Sequence, residues 1–197
     1  MERTLTAKGL ATRKRIVEGA AVLMRAEGVA RTSLDSVCAS TGTGKSQLFH
    51  YFPAGKDALL VAVAEHEAAS VLADQEPYLS ELTSWDAWTK WRDILIARYA
   101  ALGSRCPLGV LTTQLGPTSP TSERIANDLL VTWQNHIRTG IESMQSIGQI
   151  RQTIDAATAS AALISGIYGG VVILLATGST THLQASLDMS IEDLKSL

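Results

Sequence analysis

Apolar side chains recur at every fourth position from Ile125 through Leu129, Trp133, Ile137 and Ile141, with Met144 following. A period near 3.6 sustained that far lays one greasy ridge along a helix and cannot be a strand, whose faces alternate every second residue. The same spacing governs nearly the whole chain. Ile16, Ala20, Leu23 and Met24 stripe a first helix over Gly9–Glu27, and Gly28 supplies its stop. A short second helix starts behind Thr32 or Ser33 as N-cap, carries Leu34, Val37 and Cys38 inward, and breaks at Thr41-Gly42-Thr43. A third spans Gly44–Phe52, and Pro53-Ala54-Gly55 turns the chain into a fourth from Lys56 to about Ala73.

Further helices follow between Ser84 and Gly103, striped by Trp88, Trp91, Leu95 and Leu102, and over Cys106–Gly116. The Ile125–Met144 ridge, Asp155–Thr177 and Leu183–Leu194 complete the set. Strand alternation is almost missing. The expected fold is therefore all-α: an N-terminal three-helix domain over residues 1–57, then a larger helical domain over 58–197, about nine helices in all. With 197 residues and 46% hydrophobic side chains, the chain can bury a core without staples. Only two cysteines, Cys38 and Cys106, occur; they lack metal-ligand spacing and read as small buried side chains.

Charge divides the chain where the helices do. Residues 1–60 hold nine basic and five acidic side chains, although the whole chain carries a net charge of −2. A basic module on an acidic body is the footprint of a local nucleic-acid site, not of a general polyanion binder. The opening residues are basic and polar with no apolar signal core, so a cytoplasmic protein is expected. Ala159–Gly178 is apolar for about the length of a membrane span, but its Ser, Thr, Ala and Gly content and the lack of flanking basic residues favour a buried helix, with no membrane role.

Two short helices joined by a tight Gly-containing turn are the helix-turn-helix plan, whose second helix enters the major groove. Lys45, Ser46, Gln47, His50 and Tyr51 face outward from that helix, while Leu48 and Phe52 point back. Lys45 suits guanine acceptors and Gln47 suits adenine. Tyr51 and the hydroxyls of Thr32 and Ser33 suit phosphate oxygens, as does Lys56 at the start of the next helix. At these positions the chain resembles the TetR family of bacterial transcriptional repressors. The resemblance runs over residues 9–62 through Glu27-Gly28-Val29, Thr32-Ser33, Gly42, Leu48-Phe49-His50-Tyr51-Phe52 and Gly55-Lys56-Asp57-Ala58-Leu59. In detail, Thr43–Asp57 and Cys106-Pro107-Leu108-Gly109 look like the LmrA/YxaF-type branch.

The resemblance implies that Lys45, Ser46, Gln47, Phe49 and Tyr51 touch DNA, with Lys56 on the backbone. Thr43-Gly44 stands where Val-Ser is usual, so Thr43 is expected to take over as N-cap. It also implies a homodimer through residues 155–195, and Gly166, Gly169 and Gly170 suggest close helix approach there. Trp88, Trp91 and Trp133 on inward stripes, with Tyr99 and Tyr168, suggest walls for a planar apolar or aromatic effector. Leu95, Leu111 and Ile137 would line that pocket, and Gln114 and His136 would orient the ligand.

Enzyme readings are weaker. Ala39–Ser46 ends in Gly-Lys-Ser, but Ala39 replaces the first glycine of a phosphate loop and no strand precedes it. The four histidines lack metal-ligand spacing, and no nucleophile elbow occurs. The expectation is a ligand-released repressor on a near-palindromic operator, with no cofactor, no metal and no catalytic residues. The competing account is a helical small-molecule carrier or enzyme with no DNA role.

Overall fold

The computed structural model describes residues 6–195; Glu2 and Arg3, part of the N-terminal charge count, lie outside them. Among the described residues there are nine α-helices and no strands: α1 (Ala7–Glu27), α2 (Leu34–Thr41), α3 (Lys45–Tyr51), α4 (Lys56–Ala73), α5 (Trp85–Leu102), α6 (Pro107–Val110), α7 (Pro120–Ser146), α8 (Ala156–Thr177) and α9 (Thr181–Lys195). The expected sixth helix over Cys106–Gly116 is instead composite. After α6 the chain widens into a π turn over Leu111–Leu115, and a 3-10 turn at Gly116–Thr118 closes it.

The chain forms two compact units. One runs through Ala69 and includes Val110–Ala126; the other comprises Ser70–Gly109 and Asn127–Leu197. In the first, Ile16, Ala20 and Met24 of α1 share a core with Val37, Leu48, Phe52, Leu59 and Val63. Leu23, Leu34 and Cys38, expected inward, are only half-buried. Gly19 lets α1 and α2 cross closely: a Cβ there would lie 2.3 Å from Thr41 Cγ2.

In the second unit the ridge of α7 is buried as its spacing predicts, from Leu129 through Trp133, Ile137, Ile141 and Met144. Trp88 and Trp91 pack edge to face with centroids 5.7 Å apart, and Arg92 of α5 grips Asp188 of α9 through Nε at 2.7 Å and Nη2 at 2.9 Å. Asp155 caps α8 by accepting from the N–H groups of Ala157 and Thr158, and its hydrogen bonds to Thr158 and Ala157 hold its carboxyl below the usual range.

α8 is long and apolar enough to cross a membrane by length and composition, but it packs along α9. The crossing depends on two of its three expected contact glycines. A Cβ on Gly170 would lie 2.6 Å from Leu183 Cα, and one on Gly166 2.0 Å from Ser186 Oγ, whereas Gly169 faces open space. The close approach at Gly166 and Gly170 is therefore within the chain.

Gly170→Ala should destabilise the protein in urea unfolding. The backbone of Leu183 cannot swing aside, so an overpacking cost of about 1–3 kcal/mol should exceed the gain of about 1 kcal/mol from alanine's helix propensity. A variant as stable as wild type would show that the crossing relaxes freely.

Candidate nucleic-acid interface

The site is built on the α2–α3 hairpin. Ser33 caps α2, accepting from the N–H of Ser36 while the Ser36 hydroxyl accepts from the N–H of Ser33, so both chain-end donors are satisfied. At the other end Gly42 adopts φ +60°, a left-handed conformation that a side chain would strain, and its N–H and that of Thr43 both reach Cys38 O. Arg15 of α1 donates to Thr41 O at 2.8 Å, placing a cation on the negative end of α2.

The turn then delivers α3 with one side turned inward: Leu48 is 0% exposed, and Phe52, just after the helix, is 1% exposed. Arg13 stands over the Phe52 ring at 5.4 Å. The opposite edge is open. Lys45, Ser46, Gln47, Phe49 and His50 are exposed, and Tyr51 is half-buried with its ring edge to face with His50 at 5.0 Å. Ser33 is exposed as well, at the start of α2. These residues form one continuous outward face.

Two expected members, Thr32 and Thr43, lie elsewhere. Thr32 is 1% exposed and donates its hydroxyl to Gly28 O, so it closes the turn after α1 and offers nothing to phosphate. Thr43 does not cap α3: it is 4% exposed, its hydroxyl accepts from Thr41, and Gly44 occupies the cap position with no side-chain bond. Lys56 is half-buried, with Nζ 3.3 Å from Val29 O, because a backbone carbonyl within reach competes for its ammonium.

A feature missed in the sequence is the partner of Lys45. Its Nζ lies 2.8 Å from Asp35 Oδ1, in the first turn of α2. The hydrogen bond and charge of Asp35 hold the Lys45 ammonium above its ordinary range. Ten residues separate the two in the chain, and only the Gly42 turn brings them together. Behind the hairpin, Arg25 of α1 donates to Glu67 of α4 at 2.7 Å, with the Glu67 side chain 0% exposed.

The expected effector residues are distributed differently from one pocket. Trp88, Trp91, Trp133, Leu95, Tyr99 and Ile137 are all buried in packed core, and two indoles are already bonded, Trp88 to Leu82 O and Trp91 to Gln75 Oε1. Burial pushes the Tyr99 hydroxyl well above its ordinary value, so it stays neutral. Tyr168 is half-buried on α8. His136 lines a groove of 410 Å³ with Leu79, Leu82, Asn135 and Gly140. Leu111 is buried in the first unit. Gln114, in the first unit, accepts at Oε1 from Val29 N at 3.0 Å. Among the described residues no cluster of His, Cys, Asp or Glu could hold a metal ion.

Residues 16–63 match the family profile of bacterial regulatory proteins, tetR family. Among curated proteins, an uncharacterised HTH-type transcriptional regulator in the lacX 3′ region of Lactococcus lactis is 23% identical over 185 residues, covering 90% of each chain. One from Mycobacterium tuberculosis is 29% identical over 105 residues, covering 53% of each. Among solved structures, a TetR regulator from Chloroflexus aurantiacus superposes with a TM-score of 0.80 at 22% identity, covering 97% of this chain and 98% of that one. A SmeT–triclosan complex gives 0.73 at 18% identity, covering 93% and 91%. The profile match makes residues 16–63 similar to the tetR helix-turn-helix segment, and the solved structures share the fold of nearly the whole chain. These relatives are described as regulators and not as enzymes.

Arg25→Ala should cost about 3–5 kcal/mol in chemical denaturation, because it strips a buried carboxylate of its guanidinium. A loss below about 1 kcal/mol would show that Glu67 is fully supported without Arg25.

Proposed function

We propose that the protein is a repressor of the LmrA/YxaF-like branch that binds a near-palindromic operator as a homodimer and leaves it when a small apolar or aromatic effector binds. Residues 1–57 read the DNA, and residues 58–197 bind effector and partner. The observation that carries this reading is the exposed polar edge of α3, held outward by the burial of Leu48 and Phe52 on the other side. Lys45 and Gln47 reach base edges, while Ser33, Ser46, His50 and Tyr51 contact phosphate and sugar. Phe49, 46% exposed, meets the groove wall.

A single seven-residue reading helix covers too little DNA to select a site in a genome, so two copies about 34 Å apart are needed. Residues 155–195 are the proposed partner surface. Val172 is 45% and Met189 73% exposed there, and a Cβ on Gly169 would face open space. An effector that favours a different spacing of the two reading helices abolishes binding without touching them.

For the effector, the triclosan complex of the similar SmeT supports a small aromatic ligand. Trp133 supports it independently. Its indole Nε1 is buried with no hydrogen-bond partner, and such a group costs about 1–3 kcal/mol, so a ligand acceptor arriving there would be rewarded. The tryptophan core is closed in this structure, so entry requires side chains to part. An open groove beside His136 lies in the same unit.

Electrophoretic mobility shift with the DNA flanking the gene should give a band that weakens steeply with added salt. Gln47→Ala should weaken that binding by about 1–3 kcal/mol while leaving the circular dichroism unchanged. Absence of any salt-sensitive retardation would favour the carrier or enzyme reading instead. Triclosan, used as probe, should bind by calorimetry and bind several-fold more weakly to Trp133→Phe; equal affinity would remove Trp133 from the effector site.

A further inference from the structure

Asp35 needs an explanation that stability does not supply. Between Glu27 and Asp57 it is the single acidic residue, and it lies on the face that the reading above presents to a polyanion. Its side chain is 69% exposed and that of Lys45 68%. An ion pair so open to water contributes little to folding. A carboxylate facing DNA, moreover, repels phosphates unless it is used.

The two groups are held side by side. Lys45 Nζ and Asp35 Oδ1 are 2.8 Å apart, at the mouth of a 160 Å³ cleft between α2 and α3 floored by Leu34, Cys38, Leu48 and Phe49. The ammonium has three N–H groups, and the pair uses one; two remain. The bond to Lys45 uses Oδ1, leaving the lone pairs of Oδ2 for a second donor. The couple can therefore offer two donors and an acceptor side by side from an exposed surface.

In the order donor, donor, acceptor, that set has one complement in the major groove. A G·C pair read from the guanine side offers N7 acceptor, O6 acceptor and then the N4–H donor of cytosine. A·T offers acceptor, donor and acceptor, which sets the ammonium against the adenine N6–H and the carboxylate against thymine O4. T·A sets a methyl group under the first donor. Only G·C satisfies all three positions.

We infer that Asp35 and Lys45 form a composite reader of one guanine–cytosine pair in each half-site, Lys45 donating to guanine N7 and O6 and Asp35 accepting from cytosine N4. Asp35 also keeps Lys45 from swinging to a phosphate, so it lowers indiscriminate binding while it raises selectivity. The inference rests on the DNA-reading function proposed above.

Selection from a random-sequence duplex library with full-length wild type, Asp35→Asn and Lys45→Gln tests it. Wild type should enrich a motif with a G·C pair in each half-site that both variants no longer require, the other positions being kept. In direct titration, preference for the selected duplex over its G·C-to-A·T derivative should fall about tenfold or more in Asp35→Asn. Affinity of that variant for an unrelated duplex should be equal or higher, since a repelling charge has gone.

Retention of the same G·C preference in both variants would overturn the inference while leaving DNA reading intact. So would uniform decay of every motif position with weaker non-specific binding, which would mark Asp35 as a merely structural residue. Wild type enriching no motif would sink the DNA-reading function itself. Should Asp35→Asn lose its helical circular dichroism, the Lys45→Gln motif decides alone, because a variant at that site leaves the first turn of α2 untouched.

Discussion

The burial of Leu48 and Phe52 is the interaction on which the site depends. A helix of seven residues is too short to hold itself together in water, because nucleation costs more than so few hydrogen bonds return. α3 persists because one face is sunk in the core made by Ile16, Ala20, Val37 and Leu59. Four-residue spacing between the two anchors fixes the rotation of the helix about its own axis. Once that rotation is set, Lys45, Gln47 and His50 have nowhere to point except outward. The outward edge is thus a consequence of the inward one.

Electrostatics refine what packing establishes. Arg15 on the carboxyl end of α2 and Asp35 near its amino end both oppose the helix dipole with the favourable sign. Lys45 at the first position of α3 has the unfavourable sign, and Gly44 gives no side-chain cap to offset it. Asp35 compensates across the turn. The hairpin accordingly rests on apolar contact, and the exposed Asp35–Lys45 pair fixes where the two charges sit and adds little to its stability.

Periodicity made the fold legible. The every-fourth-residue ridge of α7, the stops at Gly28, Gly103 and Gly178 and the caps at Ser33, Ser84 and Asp155 are local signals, and each governs local structure. The outward and inward sides of α3 were legible for the same reason. What sequence could not yield were contacts set by distant segments: Asp35 with Lys45, Arg25 with Glu67, Gln114 with Val29. Trp88, Trp91 and Trp133 face the interior as their spacing predicts, but side-chain periodicity cannot distinguish a packed interior from a hollow one. The π turn at Leu111–Leu115 left no mark either, since its apolar spacing is compatible with an ordinary helix.

Three polar side chains expected at functional sites share a backbone partner. Thr32 donates to Gly28 O, Lys56 donates to Val29 O, and Gln114 accepts from Val29 N. All three converge on the two-residue exit of α1, where Gly28 at φ +92° breaks the helix and exposes backbone groups that must find partners. That exit sets the direction in which the chain enters α2, and α2 carries α3 through a tight turn. Side chains of the polar types that bind phosphate or ligand are equally suited to binding a broken helix end. Here the broken end lies closer, and a preorganised carbonyl or N–H within the fold takes the side chain that a solvent-borne partner would have to win away. A threonine, a lysine and a glutamine scattered over more than eighty residues of sequence therefore serve one backbone kink, and the aim of α3 is referred back to it.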